Sequence, residues 1–308
     1  MADSGVTNIK RERSKEIYIV GPTAIGKSKI AIYVANQLGG EIVSADSMQV
    51  YKGFPIATDH PRAEQLHKIP HHMIGFVDPE EYFTVQDYIE RATVILENIH
   101  KKNQYSFIVG GSGMYIRSLI DGVFTQPENS KSVENLVEIS FASLEKIDPT
   151  AAKKIHPNDQ RRIERAVSFY NQTGVAISSL QNQWDDFESG PQHYFGLMMP
   201  KEDLTETIDR RVEEMISQGL ESEAKTFYEL KNNNATLKQA IGLKEFVGYF
   251  EKKISLDEVI KKIKIHSHQL AKKQRTWFGK DSRIQWIDGS FSRSVEEIGD
   301  EILEKISR

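Results

Sequence analysis

Short apolar runs and helical periodicities alternate along the first third of the chain. Glu16-Ile-Tyr-Ile-Val20 is a β-branched apolar run closed by a glycine, and it predicts a buried strand. In residues 27–38, Ile30, Ala31, Val34, Ala35 and Leu38 recur at helical spacing until Gly39-Gly40 stops the pattern, which predicts a helix. Glu41-Ile-Val-Ser44 predicts a second strand, residues 85–101 a second helix, and Tyr105-Ser-Phe-Ile-Val109 a third strand, again closed by glycines. Strands that alternate with helices need crossover connections, so the pattern predicts an α/β fold with a mainly parallel sheet flanked by helices. Residues 193–199 and 283–287 are later strand candidates.

The texture changes between residues 124 and 191. This stretch is polar and helix-like without a convincing strand, opened by Pro127 and closed by Glu188-Ser-Gly-Pro191. It reads as a helical insertion between two core strands. From Asp203 to about Phe278 the pattern is again helical. The expected organisation is a disordered lead-in over 1–15, a first core segment over 16–123, the insertion over 124–191, and a second core segment over 192–308 that carries basic helices. The length of 308 residues fits about two domains at ~150 residues each.

Composition narrows the chemistry. The absence of cysteine excludes disulfides, thiolate metal sites and a cysteine nucleophile, and fits a reducing, cytoplasmic setting. A net charge of −4 places any nucleic-acid surface locally rather than over the whole chain. One such place stands out. Residues 252–280 hold nine Lys/Arg against Asp257 and Glu258, a local net charge of +7, interleaved with His266, His268, Trp277 and Phe278. The same stretch also reads as an amphipathic helix with Ile260, Ile263, Leu270 and Trp277 facing inward. No apolar run approaches the ~20 residues of a membrane helix, and residues 1–16 lack the apolar segment of a signal peptide.

Gly21-Pro22-Thr23-Ala24-Ile25-Gly26-Lys27-Ser28 fits G-x-x-x-x-G-K-[ST], with a predicted strand before it and a helix after it. Such a loop aims successive N–H groups at phosphate oxygens, and the helix N-terminus adds positive partial charge. Lys27 is placed to neutralise terminal phosphates and the Ser28 hydroxyl to ligate Mg²⁺. The loop predicts a P-loop NTPase-like core that binds ATP, another nucleotide or a diphosphate. The second acidic metal site usual in ATPases is missing, because the strand ending at Val109 runs into Gly110-Gly-Ser-Gly113. The strand-terminal acid is Asp46, a candidate metal-linked acid, general base or helix N-cap. The glycine turn permits close approach of a backbone or a ligand. His71 and His72 are adjacent and lack a ligand pattern around them, so packing and hydrogen bonding outweigh a metal role.

Several segments in order resemble one family, the tRNA dimethylallyltransferases or tRNA isopentenyltransferases. They are residues 21–28, Ser44-Ala-Asp-Ser-Met-Gln-Val-Tyr51, Ile69-Pro-His-His-Met-Ile74 with Val77-Asp-Pro79, and Val109-Gly-Gly-Ser-Gly-Met-Tyr115. Further along are Ile155-His-Pro-Asn-Asp159 with residues 161–165, Tyr170-Asn-Gln-Thr-Gly174, and Gln269-Leu-Ala-Lys-Lys-Gln-Arg-Thr-Trp-Phe278. The resemblance implies transfer of a dimethylallyl group from dimethylallyl diphosphate to N6 of adenosine 37, in tRNAs that read codons starting with U. It implies Mg²⁺ on the diphosphate, Asp46 as general base, Thr23 beside the reacting centre and Arg211 on the diphosphate, with Arg210 as its possible confusion. It also implies tRNA contacts from Asp46, Ser47, Met48, Gln49 and Ser112, and from Arg161, Arg162, Ile163, Glu164 and Arg165. A cytoplasmic, monomeric enzyme acting on tRNA, with no membrane partner, is the expectation.

Some positions depart from the family's usual pattern. Ile25 stands where a small residue is usual, and either narrows the loop or points away from it. Ser28 and Ser112 replace threonines, Ala57 a glycine, His60 a lysine and Leu243 a tyrosine. Two other classes fit parts of the chain: a P-loop small-molecule kinase, and an RNA-binding module with a degenerate loop.

Overall fold

The computed structural model describes residues 13–122, 133, 135–181, 190–231 and 234–308. The lead-in expected over 1–15 and the edges of the insertion fall largely outside these residues. The described chain forms two compact units. One holds the residues up to Ile120 together with those from Gly190 to Arg308, and the other holds those from Asp121 up to the second boundary.

The larger unit is built on six parallel strands: β1 (Glu16–Val20), β2 (Gly40–Ser44), β3 (His71–His72), β4 (Tyr105–Gly110), β5 (His193–Met198) and β6 (Gln285–Asp288). Their order across the sheet is β3-β2-β4-β1-β5-β6. β1 lies between β4 and β5 with Ile17 level with Phe107 and His193, and all five of its residues are buried. A strand covered on both faces is largely apolar, which is why residues 17–20 read as an unbroken run, while buried Glu16 accepts the Tyr18 hydroxyl at 2.7 Å. The helix Lys27–Leu38 returns the chain from β1 to β2, and Val85–Lys101 leads into β4. Both place helical apolar faces on the sheet, with Ile30, Ala31, Val34 and Ala35 joining Ile17, Ile19 and Phe107 in the main core. Leu243 is fully buried in a second core with Tyr51, Phe54, Phe246 and Ile263.

The structure differs from the expected pattern in definite places. β3 is a two-residue edge strand with no apolar run to announce it. His72 pairs through Nε2 with buried Glu41 at 2.6 Å, and His71 Nδ1 meets the Ile69 carbonyl at 2.7 Å. β6 begins two residues later than expected, because Arg283 turns back to the carboxylate of Asp281. The helical stretch after Met199 is broken into Lys201–Ser217, Leu220–Glu229, two single turns, Val247–Phe250 and Leu256–Phe278. Gly219 (φ 102°) and Gly242 (φ 96°) supply left-handed breaks, and the Ser255–Glu258 capping box restarts the last helix. The helix Val295–Ser307 was not anticipated. Its Gly299 lies against Tyr33, whose hydroxyl donates to Asp300 at 2.8 Å.

Within the smaller unit the described residues form helices Phe141–Ile147, Pro149–Ala152, Gln160–Thr173 and Ile177–Gln181, and no strand. Leu144, Ile163, Ala166 and Val167 make its small core. Such a core leaves little margin, and a buried carboxylate supplements it. Asp148 accepts hydrogen bonds from Ala151 N–H (2.9 Å), Ser178 N–H (2.9 Å) and Ser178 Oγ–H (2.6 Å). None of the described helices is long and apolar enough to cross a membrane.

Removing this acceptor strands its donors in an apolar setting. Asp148→Ala is expected to destabilise the smaller unit by roughly 2–4 kcal/mol. Hydrogen exchange in the helices Phe141–Ile147 and Gln160–Thr173 should speed up accordingly; unchanged protection there would contradict the role given to Asp148.

Candidate active site

Because β2, β4 and β1 adjoin and run in parallel, the loops leaving their carboxyl ends share one edge of the sheet, the usual ligand edge of an open α/β sheet. The phosphate loop leaves β1. Gly26 occupies the N-cap of the following helix with φ 90°, a conformation that costs glycine nothing. Ile25 drops into the main core and is almost fully buried, so it points away from the loop's concave side. Lys27 is half-buried as a residue, but its ammonium end is enclosed and donates to the Pro22 carbonyl at 2.7 Å. Burial pulls its pKa down to about 8, with Arg211 pushing the same way and Asp46 and Asp59 opposing. Ser28 is exposed at the first turn of the helix.

Asp46 lies just beyond β2. One carboxylate oxygen accepts the Met48 N–H at 2.9 Å, a local turn of the kind aspartate favours. The next residue is held from the glycine turn, as Ser47 N–H donates to Ser112 Oγ at 2.9 Å. Gln49 accepts from Ser44 Oγ (2.7 Å) and donates to the Asp59 carbonyl (2.7 Å). Arg211 arrives from the helix Lys201–Ser217. Its Nη1 donates to Thr23 Oγ1 at 2.8 Å and its Nη2 lies 3.3 Å from the Asp59 carboxylate. Arg210 instead covers the Phe291 ring, 5.6 Å from its centroid. The structure thus brings Thr23, Lys27, Asp46 and Arg211 to one place. Beside Thr23 and Arg211 is a pocket of about 70 Å³ lined mostly by apolar groups, among them Ala57, Ile208, Val212 and Leu270. That is far below the ~300–1,000 Å³ of pockets for drug-sized ligands and suits a short hydrocarbon chain.

The sequence profile described as IPP transferase (IPPT) matches residues 49–281. The tRNA dimethylallyltransferase of Carboxydothermus hydrogenoformans is 41% identical over 302 residues, spanning 94% of this chain and 96% of that protein. The chain belongs to the tRNA dimethylallyltransferase family. A second member, from Anoxybacillus flavithermus, is 38% identical over 92% of this chain and 94% of its own. The crystal structure of a tRNA isopentenylpyrophosphate transferase from Staphylococcus epidermidis superposes with a TM-score of 0.71 at 33% identity, covering 95% of this chain and 98% of that one. A eukaryotic dimethylallyltransferase acting on tRNA gives a TM-score of 0.79 at 26% identity, covering 93% of this chain and 77% of its own. The P-loop-type parallel sheet is common to this family.

Members of the tRNA dimethylallyltransferase family work on a polynucleotide, and the basic residues of this chain divide into two groups. In the smaller unit, Arg161, Arg162, Glu164 and Arg165 are exposed on the helix Gln160–Thr173. Arg162 pairs with Asp159 at 3.2 Å, and Ile163 is fully buried, holding the helix to its core rather than offering a side chain outward. In the larger unit, part of the basic stretch is engaged with acids of the same unit. Lys264 pairs with Glu213 and His268 with Asp209, each at 2.8 Å, and His266 with Glu245 at 2.6 Å. Leu270 and Trp277 are not buried as expected; each is 38% exposed, with Leu270 at the pocket and Trp277 over Gly113. Positions seven apart drift by ~20° per heptad around a straight helix, so Ile263, Ala271, Gln274 and Phe278 take the inner face.

Two site residues had no role in the sequence reading, although Gln274 lies within the segment 269–278. Asp59 and Gln274 are polar residues in ordinary surroundings, and only the fold brings them to Arg211 and Thr23. As for metal, no group of three or more His, Asp or Glu side chains gathers among the described residues.

Lys27 must be protonated to attract a diphosphate, and its proton is lost above pH about 8 in the free protein. Binding of inorganic diphosphate at the phosphate loop is therefore expected to weaken as pH rises from 8 to 10, by up to about tenfold per unit. Lys27→Arg should remove this dependence, because a guanidinium stays charged throughout. Calorimetric titration across that range checks both expectations.

Proposed function

We propose that this chain transfers a dimethylallyl group from dimethylallyl diphosphate to N6 of adenosine 37 in tRNAs that read codons beginning with U. The observation that carries the reading is the convergence of Lys27, the Thr23–Arg211 hydrogen bond and Asp46 on one edge of the sheet. Lys27, the loop amides and Arg211 grip the diphosphate, and the apolar pocket beside Thr23 receives the five-carbon tail. The N6 lone pair attacks the allylic carbon, and the carbon–oxygen bond breaks with its electrons going to diphosphate. Negative charge grows on the leaving oxygens, where the fixed donors strengthen their hold. Asp46 takes the proton that N6 must shed. Only one of its carboxylate oxygens accepts a hydrogen bond among the described residues, which leaves the other for this task.

The Ser28 hydroxyl would hold a Mg²⁺ ion, which when bound would supply further neutralisation of the leaving group. The target base is stacked in an anticodon loop and must be extruded to reach a buried donor. Ser47, Met48, Gln49 and Ser112 line the strand exits where it would arrive, and Arg161 and Arg165 offer charge to the backbone of the anticodon arm. The enzyme works as a cytoplasmic monomer in this reading.

An unmodified tRNA with an A36-A37-A38 loop, incubated with the protein, Mg²⁺ and labelled dimethylallyl diphosphate, is expected to yield labelled N6-dimethylallyladenosine by nucleoside mass spectrometry, while an A37→G tRNA yields none. No label on either, with the donor bound, would sink the assignment. Asp46→Ala should lower turnover by roughly 10²- to 10⁴-fold while the donor still binds. A near-normal rate would leave Asp46 only its turn.

A further inference from the structure

The long helix Leu256–Phe278 sends one polar side chain inward. Gln274 is only 9% exposed, and both ends of its amide are used. Oε1 accepts the Thr23 N–H at 2.8 Å, and Nε2 donates to the Gly111 carbonyl at 3.0 Å. One partner can only donate and the other can only accept, so the amide has a single satisfying orientation. Gly111 makes the room, since a Cβ there would lie 2.2 Å from Gln274 Nε2. One helical turn on, Trp277 covers Gly113 at the same distance from a would-be Cβ, which fixes the helix against the glycine turn.

The two partners have different roles. Thr23 gives its N–H to Gln274, so its part at the diphosphate falls to the hydroxyl, which accepts from Arg211 and keeps one proton to donate. Gly111 belongs to the turn whose Ser112 hydroxyl holds the N–H of Ser47, next to Asp46. Among the described residues Gln274 is the one side chain hydrogen-bonded to both loops. We propose that Gln274 is a positioning residue that fixes the offset between Thr23, at the donor's diphosphate, and Asp46, at the acceptor's amine. The identity of the reacting groups rests on the prenyl-transfer reading above. Gln274 itself touches neither group. It acts by holding apart, at a set distance, the two loops that do, and transfer chemistry is steeply sensitive to such offsets.

The test uses Gln274→Leu, which keeps the volume and loses both bonds, and Gln274→Glu, which keeps an acceptor for Thr23 N–H and loses the donor to Gly111. For Gln274→Leu, kcat is expected to fall about 10²-fold, with KM for dimethylallyl diphosphate and for tRNA within about threefold of wild type. Hydrogen exchange at the Thr23 amide should quicken at least ~10-fold as its acceptor is lost. Gln274→Glu should keep slow exchange at Thr23 and recover part of kcat. A purely structural role would lower the melting temperature and leave kcat per folded molecule unchanged. The proposal is overturned by kcat within twofold of wild type in the Leu variant, by a raised donor KM at unchanged kcat, or by unaltered exchange at Thr23. Should the Leu variant fail to fold, the Glu variant decides, with kcat within twofold of wild type counting against the proposal. If the wild-type protein does not prenylate tRNA, the reading of the reaction fails, and the Thr23 exchange rate still shows whether Gln274 fixes the loop.

Discussion

The close approach of two backbones, at Gly110 and Ala45, governs how the reactive groups meet. A Cβ on Gly110 would lie 2.1 Å from the Ala45 carbonyl oxygen. Only glycine lets the exits of β2 and β4 stay zipped beyond the strands themselves. Ala45 N–H donates to the Val109 carbonyl (2.8 Å), and Ser112 N–H donates back to the Ala45 carbonyl (3.1 Å). Asp46 follows immediately, so its place is set by backbone hydrogen bonding rather than by a mobile loop. The phosphate loop lies one strand further across the same sheet, and its position relative to Asp46 follows from the pairing of Val20 with Gly110.

Over this edge the second half of the chain lays helices that supply what the strands lack. Arg211 and Gln274 both come from there, far away in sequence and near in space. Buried acids tie down the connecting loops. Glu223 accepts the N–H groups of Ile56 and Ala57 at 2.9 and 2.7 Å, and burial pushes its pKa up against those two bonds. Glu245 accepts from Gly242 N–H at 2.8 Å and meets His266. These carboxylates anchor loops without regular structure, at the desolvation cost that buried charge carries.

Much of the fold was legible in the sequence because it depends on local signals. Buried parallel strands are largely apolar, so β1, β2, β4 and β5 announce themselves despite the buried Glu16 and Glu41, and the phosphate loop follows from its glycines and Lys27-Ser28. Lys27 and Asp46 stand out in the sequence from the phosphate loop and the strand end, whereas the expected roles of Thr23, Arg211 and Asp46 as a base come from the family's pattern. What escaped was nonlocal. β3 is two histidines that pair because Ile42 and Val43 lie alongside them. Gln274 and Asp59 take their roles from partners 251 and 152 positions away. The choice between Arg210 and Arg211 is a matter of which helix face meets Thr23, and a phase error of one residue reverses it. The helix Val295–Ser307 is a different case. Its Ser294-x-x-Glu297 capping box was there to be read, and only its short, interrupted apolar pattern obscured it.

The pairing of Arg211 with Asp59 changes what it means for an anion to enter. Asp59 sits at φ 57°, a left-handed conformation uncommon for a side-chain-bearing residue, and its carboxylate is largely open to water. In the prenyl-transfer reading proposed above, an anion reaching Arg211 would compete with a resident carboxylate rather than meet a bare cation. A monoanion would gain little from such an exchange, because it offers Arg211 no more charge than Asp59 does and only returns a carboxylate to solvent. A diphosphate would bring several charges and span to Lys27 as well, so the exchange would run in its favour. On that reading the site would sort anions by valence before any part of the hydrocarbon tail is recognised.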